Sequence, residues 1–417
     1  MILNENLKTV VSAKKSLKSV LEELFPKNHE FIVAGNIDGR ISALQTEIEG
    51  EHFVGPIMLQ SDAGQRVYRR SVVFLLIMAV HRLFQDAEVT VRFAANKGLY
   101  CDINLTDHAL SEEDVDLIRA EMKKIISERI PITKAILSKD KAIQLFKEEK
   151  QIEKVNLINS LKKDKVSIYF CGNDYDYFYG PLLDDTGKLG HFEIDYEDPG
   201  ILLRTPAGGM EPSPEVKQPK LKGILTESKK WAGILHCSYI PDLNRFIKQN
   251  HITDIIRVSE ALHEKRISDI ADEITKNISH KRLIMIAGPS SSGKTSFAQR
   301  LKVQLRVNGL EPISLSLDDY FIERRLNPIR PDGQYDYECI DALDVKLINE
   351  HLVKLLNGES IMHPKYDFIS GERELDTVGP ISLPLGQPLI IEGIHGLNEK
   401  LTASIPRDQK FKIYISA

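Results

Sequence analysis

GPSSSGKTS occupies residues 288–296, between the apolar run LIMIA (283–287) and a stretch with helical spacing. Gly288, Gly293, Lys294 and Thr295 fit the pattern G-x-x-x-x-G-K-[ST]. Glycines let the backbone curl so that successive N–H groups converge on phosphate oxygens. A helix starting at such a loop adds the positive end of its dipole. In this pattern the lysine reaches the β- and γ-phosphates as a point charge, and the next hydroxyl ligates Mg²⁺. Gly288, Pro289, Ser290, Ser291, Ser292, Gly293, Lys294, Thr295 and Ser296 are therefore the candidate nucleotide-binding residues, for ATP with Mg²⁺. The pattern demands strand, loop and helix. Residues 283–287 read as a buried strand, Phe297, Ala298, Leu301 and Leu305 as a helix face, and Gly309 as the helix stop.

A phosphoryl transferase also needs a group to orient the acceptor hydroxyl and carboxylates to hold Mg²⁺. ISLSLDDYF (313–321) places Asp318 and Asp319 just past an apolar-alternating strand. Ligands in open α/β sheets bind beyond the carboxyl ends of strands, so an acidic pair there can meet a hydroxyl or a metal. The competing reading is a capping aspartate at a strand–helix turn. PLIIEGIHGLN (388–398) is a second apolar strand, ending in Glu392-Gly393, from which a carboxylate would face the phosphate loop and orient Mg²⁺. PKYDFISGER (364–373) lies between them, and Tyr366 and Arg373 could line an acceptor pocket or simply pack.

Outward from this region, 417 residues predict two or three domains. A net charge of −5 gives no global pull toward nucleic acid or an anionic membrane. The four cysteines are scattered without metal-ligand spacing and read as reduced thiols. The longest apolar run, SVVFLLIMAV (71–80), is too short to span a bilayer and reads as a buried helix, so the expectation is a soluble, cytoplasmic protein. Residues 16–25 have a helical stripe ended by Pro26, and FIVAGNIDGRIS (31–42) reads as strand, Asp38-Gly39 turn, strand. Residues 89–105 read as two strands around Asn96-Lys97-Gly98. The helix at 111–130 opens with Ser111 and Asp114, a near match to a capping box. Residues 205–230 are rich in Pro, Gly and Lys and read as a loop or connector; its lysines, Lys217 among them, could touch a polyanion but fit a solvated linker. Ile267, Ile270, Ala271, Ile274 and Ile278 space as a helix leading into the last domain. His81, His191, His236, His263 and His395 read as isolated polar groups, with His395 of interest for its place three residues after Glu392.

Taken together, the phosphate loop, Asp318-Asp319-Tyr320-Phe321, Tyr335-Asp336 with Ala342-Leu343-Asp344, Tyr366-Asp367-Phe368 with Arg373, and Ile391-Glu392-Gly393-Ile394 resemble the uridine kinase and phosphoribulokinase family of P-loop kinases, in order and spacing. The resemblance implies that Asp318 is the general base for the acceptor hydroxyl and a metal contact, that Glu392 helps to hold Mg²⁺, and that Asp336, Tyr366 and Arg373 are acceptor-side contacts. The family's base-reading histidine falls on Gly371, which departs from uridine or cytidine specificity. FKIYISA (411–417) looks like the next core strand, and the family's lid with its phosphate-clamping arginines normally lies beyond it; the expectation is that this chain binds nucleotide and turns over poorly.

The front of the chain resembles the N-terminal region of threonyl-tRNA synthetase: residues 1–60 its small TGS (β-grasp) domain, and residues 61–212 its editing-type domain. YRRSVVFLLIMAVHRLF (68–84), NKGLYCDINL (96–105) and DYFYGPLL (176–183) fall in the family's order. The four positions of the family's H-x-x-x-H and C-x-x-x-H signatures are here Arg70, Phe74, Phe178 and Leu182, which predicts no deacylase activity. Residues 213–280 are then a connector with a helix, and 281–417 the kinase domain. The expected fold class is multidomain α/β and α+β, with a parallel sheet in the kinase domain. The expected function is transfer of the ATP γ-phosphoryl to a nucleoside-like or other small hydroxyl-bearing acceptor. The alternative is a nucleotide-binding regulatory protein whose front half binds RNA or a partner.

Overall fold

The computed structural model describes residues 6–26, 29–95, 97–214, 216, 218–374 and 379–416. Asn96 of the expected turn, Lys217 of the basic stretch and the terminal residue of FKIYISA lie outside them. The chain forms two compact units, Met1–Ile252 and Thr253–Ala417. No helix among the described residues is long and apolar enough to cross a membrane, and the four cysteines are free thiols.

The first unit opens with a four-stranded antiparallel sheet of order β1-β4-β2-β3, made of β1 (Leu7–Ser16), β2 (Ile32–Ile37), β3 (Arg40–Ser42) and β4 (Glu47–Met58). Helix α1 (Leu17–Leu24) buries Leu17, Val20 and Leu21 against it, and the Ser16 hydroxyl caps it by accepting the Ser19 amide. Helix α2 (Asp62–Leu83) has every residue from 71 to 80 buried, which explains why its sequence shows a run of apolar residues and not a stripe. Around it lie an antiparallel sheet of order β10-β11-β6-β5 and helix α3 (Glu112–Glu128). The strands are β5 (Glu88–Ala95), β6 (Gly98–Asn104), β10 (Glu193–Glu197) and β11 (Gly200–Arg204). The capping box of α3 is complete: the Ser111 hydroxyl accepts from the Asp114 amide while the Asp114 carboxylate accepts from the Ser111 amide. A satellite core joins α4 (Lys139–Glu148) and α5 (Ile152–Ser160) to the meander of β7 (Ile132–Ser138), β8 (Lys165–Cys171) and β9 (Asp174–Tyr177).

The stretch 205–230 corrects the expectation of a continuous loop. Its second half enters α6 (Pro219–Ile234), which is followed by α7 (Ile240–Lys248). Pro219 sits at the first helical position, where a preset φ and a missing N–H cost nothing. Averaging composition over the whole stretch hid the helix formers that follow it. No residue of α6 is buried; Lys222 pairs with Glu197 at 2.6 Å and Lys229 with Asp102 at 2.7 Å.

The second unit begins one residue into α8 (Ile252–Lys276) and is built on a parallel sheet of order β13-β18-β12-β19. Its strands are β12 (Leu283–Ala287), β13 (Ile313–Ser316), β18 (Leu389–Glu392) and β19 (Lys410–Tyr414). Residues of β12 alternate between two cores. Ile284 and Ile286 pack with α8 and α9 (Lys294–Val307), while Leu283 and Met285 pack with α10 (Val345–Leu356) and the 320–321 aromatics. A sheet covered on both faces needs continuous apolar strands, and LIMIA is one. Two short hairpins lie between α10 and β18: β14 (Ser360–Met362) with β17 (Pro380–Ser382), and β15 (Lys365–Asp367) with β16 (Glu372–Glu374).

Candidate functional site

The parallel register lines up three strand ends. Ile286 of β12 and Ser316 of β13 both pair with Glu392 of β18, so the chain leaves all three strands on one edge of the sheet. The phosphate loop follows β12 there. Gly293 adopts φ +86°, a left-handed conformation that suits glycine, and N-caps α9 without a side-chain cap bond. That leaves the helix start to an incoming anion. A Cβ on Gly288 would lie 2.1 Å from the Ile415 carbonyl oxygen, so only glycine fits where the loop passes the backbone after β19. Lys294 Nζ donates to the Pro289 carbonyl at 2.8 Å, bending over the loop it belongs to.

Thr295, in the first turn of α9, donates its hydroxyl to Glu392 Oε1 at 3.0 Å. Glu392 is 6% exposed. Burial pushes its carboxyl above the ordinary range, and the negative charge of Asp318 adds to this; the Thr295 hydroxyl, Lys294 and Ser316 pull the other way. Asp318 follows β13 in a 3-10 turn (Leu317–Tyr320), its amide donating to Ser316 Oγ at 3.3 Å. Its side chain reaches solvent at the rim, yet the protein crowded around it pushes its carboxyl up, helped by Asp319 and opposed by Lys294. Two carboxylates raised by crowding, with a hydroxyl bonded to one of them, form a hard oxygen donor set suited to Mg²⁺. Among the described residues no group of three His, Cys, Asp or Glu side chains could hold an ion alone.

The other candidates are dispersed. Tyr366 and Arg373 face each other across the β15–β16 hairpin. Tyr366 packs its ring 5.5 Å from Phe321 and 5.0 Å from Phe368, and Arg373 Nη1 donates to Asp344 Oδ2 at 3.0 Å. Asp336 Oδ1 accepts from Arg330 Nη2 at 3.2 Å and from the Glu338 amide at 3.1 Å. Gly371 has φ +76°, and a Cβ there would lie 2.7 Å from Arg324 Nε. Arg324 occupies that space: its amide donates to the Gly371 carbonyl at 2.9 Å and its Nη2 to the Phe368 carbonyl at 2.6 Å. His395 has its Nε2 buried without a hydrogen-bond partner.

Sequence reasoning passed over His363. It is 8% exposed and stands 3.7 Å from Asp319, Nε2 to Oδ2. Its only signal was its place immediately before Pro364 and the Tyr366 segment.

In the first unit, three of the four positions of the editing signature join the apolar core. Phe74 and Phe178 meet edge to face with ring centres 5.6 Å apart, and Leu182 is fully buried. Arg70 donates to the Pro181 carbonyl from Nη2 at 3.1 Å.

Comparison with known proteins follows the same division. Residues 283–417 match the model of the Phosphoribulokinase / Uridine kinase family. The chain is 33% identical over 180 residues to the threonine–tRNA ligase of Syntrophomonas wolfei, covering 43% of this chain and 28% of that protein. It is 34% identical over 163 residues to the threonine–tRNA ligase of Syntrophotalea carbinolica, covering 39% and 26%. The chain thus spans about a quarter of the length of these curated relatives. Among solved structures, a "possible uridine kinase" from Bacillus stearothermophilus aligns at 22% identity and TM-score 0.29, covering 36% of this chain and 80% of that one. D-glycerate 3-kinase from Cryptococcus neoformans aligns at 19% and 0.25, covering 31% and 52%. The chain therefore carries a phosphoribulokinase and uridine kinase family domain at residues 283–417, together with an N-terminal region that matches threonine–tRNA ligases.

Proposed function

We propose that the second unit binds ATP with Mg²⁺ in the 288–296 loop and transfers the γ-phosphoryl to a hydroxyl of a small acceptor. The observation that carries this reading is the bond from Thr295 to Glu392 at 3.0 Å, with the charge of Asp318 felt at the same carboxylate from the neighbouring strand end. Loop amides and the start of α9 bind the phosphates. Lys294 leaves the Pro289 carbonyl for the β- and γ-phosphate oxygens, where its charge offsets what builds up in transfer. Thr295 and Glu392, with Asp318, would hold Mg²⁺, which supplies charge neutralisation of the phosphates. Asp318, crowded and accessible, accepts the proton of the acceptor hydroxyl. Gly371 in the hairpin supports an acceptor other than uridine or cytidine.

A thermal-shift screen of nucleosides, sugars and tRNA with ATP–Mg²⁺ present identifies the acceptor, because a ligand that binds only the folded state raises the melting temperature. Asp318→Asn should then lower transfer by about 100- to 10,000-fold, the range for a lost general base, while ATP affinity holds. Full activity in that variant would contradict the assignment.

The match to threonine–tRNA ligases favours a second role for the first unit, RNA binding without deacylation, since Phe74, Phe178 and Leu182 offer neither a metal ligand nor a proton carrier. Gel shifts with tRNA at stated salt test the binding, and mischarged Thr-tRNA should remain intact.

A further inference from the structure

In the second unit the buried His363 has its hydrogen-bonding capacity wholly unmet. Both ring nitrogens of His363 lack a partner. A buried donor or acceptor left unpaired costs about 1–3 kcal/mol. The ring is nevertheless held firmly in place. It stands edge-on to Tyr320 with centres 5.9 Å apart, and the Tyr320 hydroxyl is 3.0 Å from His351 Nδ1. Burial lowers the His363 pKa, so the imidazole is neutral near pH 7, with one N–H and one lone pair. Its Nε2 faces the Asp319 carboxylate at 3.7 Å, just beyond hydrogen-bond length. Hydrogen bonds in active sites are often long without ligand and tighten when the substrates are bound.

We propose that His363 is a positioning residue for phosphoryl transfer, closing on Asp319 when the acceptor binds and fixing that carboxylate beside Asp318. The proposal rests on the kinase reading above. Held by His363, Asp319 keeps one orientation, and the neighbouring Asp318 stays aimed at the acceptor hydroxyl. His363 acts through Asp319 and need not touch the acceptor.

Two variants separate this role from packing. His363→Phe keeps an aromatic ring and removes both nitrogens; His363→Gln keeps an N–H donor near the Nε2 position. Single-turnover transfer from radiolabelled ATP is measured with uridine and D-glycerate as probe acceptors, beside melting temperature and ATP affinity. His363→Phe should slow transfer by about 100-fold, the effect of an ångström-scale misplacement, with ATP affinity unchanged and no loss of melting temperature. His363→Gln should recover about tenfold of that. Wild-type rates in His363→Phe, or equal losses in both variants, would overturn the proposal. Resonances of isotope-labelled histidine give a readout free of turnover. The His363 Nε2 signal should shift toward the hydrogen-bonded position when a probe acceptor joins ADP–Mg²⁺, and Asp319→Ala, which removes the acceptor oxygens, should abolish that shift. An unmoved signal with a bound acceptor refutes the closure while leaving the kinase reading intact. Wild-type protein that fails to bind ATP–Mg²⁺ refutes both.

Discussion

At the scale of single residues, the site turns on where one positive group points. Lys294 rests on the Pro289 carbonyl and must leave it for a triphosphate. Lys294→Ala should weaken ATP binding directly, by about tenfold or more, since hydrogen bonds to charged groups contribute about 1.5–3 kcal/mol; isothermal titration with ATP–Mg²⁺ checks it. Glu399 shows a different use of charge. Lys410 donates to it at 2.8 Å and Lys412 contacts its other oxygen, which holds its carboxyl at about 2. A folded-state value below the unfolded one stabilises above the unfolded pKa, and the gain is lost as pH falls through the folded one. The second unit should therefore lose stability between about pH 4.5 and pH 2, and Glu399→Gln should flatten that slope in acid melts. Glu399 itself is half exposed, so the effect is modest and screened by salt. Lys294, Thr295, Asp318 and Glu392 were legible because the chemistry of each is announced by its immediate neighbours in the chain. His363 and Arg324 were not, because what gives them meaning is Asp319 and Gly371, more than 40 positions away in each case.

At the scale of elements, the strands and helices that matter were readable wherever burial was uniform. LIMIA is apolar throughout because both faces of β12 are covered, and the α2 run is apolar throughout because the helix is wrapped on most sides. The helix at 219–234 was missed for the opposite reason: it buries nothing, so no apolar periodicity marks it, and Pro219 reads as a breaker unless the helix is known to begin there. Phe74, fully buried in α2, supplies a quantitative check. Phe74→Ala should cost about 3–5 kcal/mol, seen as a lower urea midpoint for the first unit. Gly288→Ala probes the other unit. Its Cβ would strike the Ile415 carbonyl at 2.1 Å, so the loop must shift; about 1–3 kcal/mol of stability should go, and with it nucleotide binding.

At the scale of the whole molecule, the two units have separate cores, and calorimetry should resolve two transitions. ATP–Mg²⁺ should raise the one belonging to residues 253–417, by about 2.7 kcal/mol at 100 times its Kd. A single transition that ATP leaves unmoved would count against both the division and the nucleotide site. The matches fall on the same two regions, one to kinases and one to ligases of tRNA.

The glycine at 371 also constrains how this chain can change. Because Arg324 fills the space beside it, and because its backbone is left-handed, a side chain cannot be added there in one step. Trimming Arg324 has to come first, so the order of mutations toward a base-reading acceptor site is fixed. Gly371→His alone should melt earlier than Gly371→His made in an Arg324→Gly background relative to its own parent, and a laboratory selection for nucleoside phosphorylation should find position 324 before position 371.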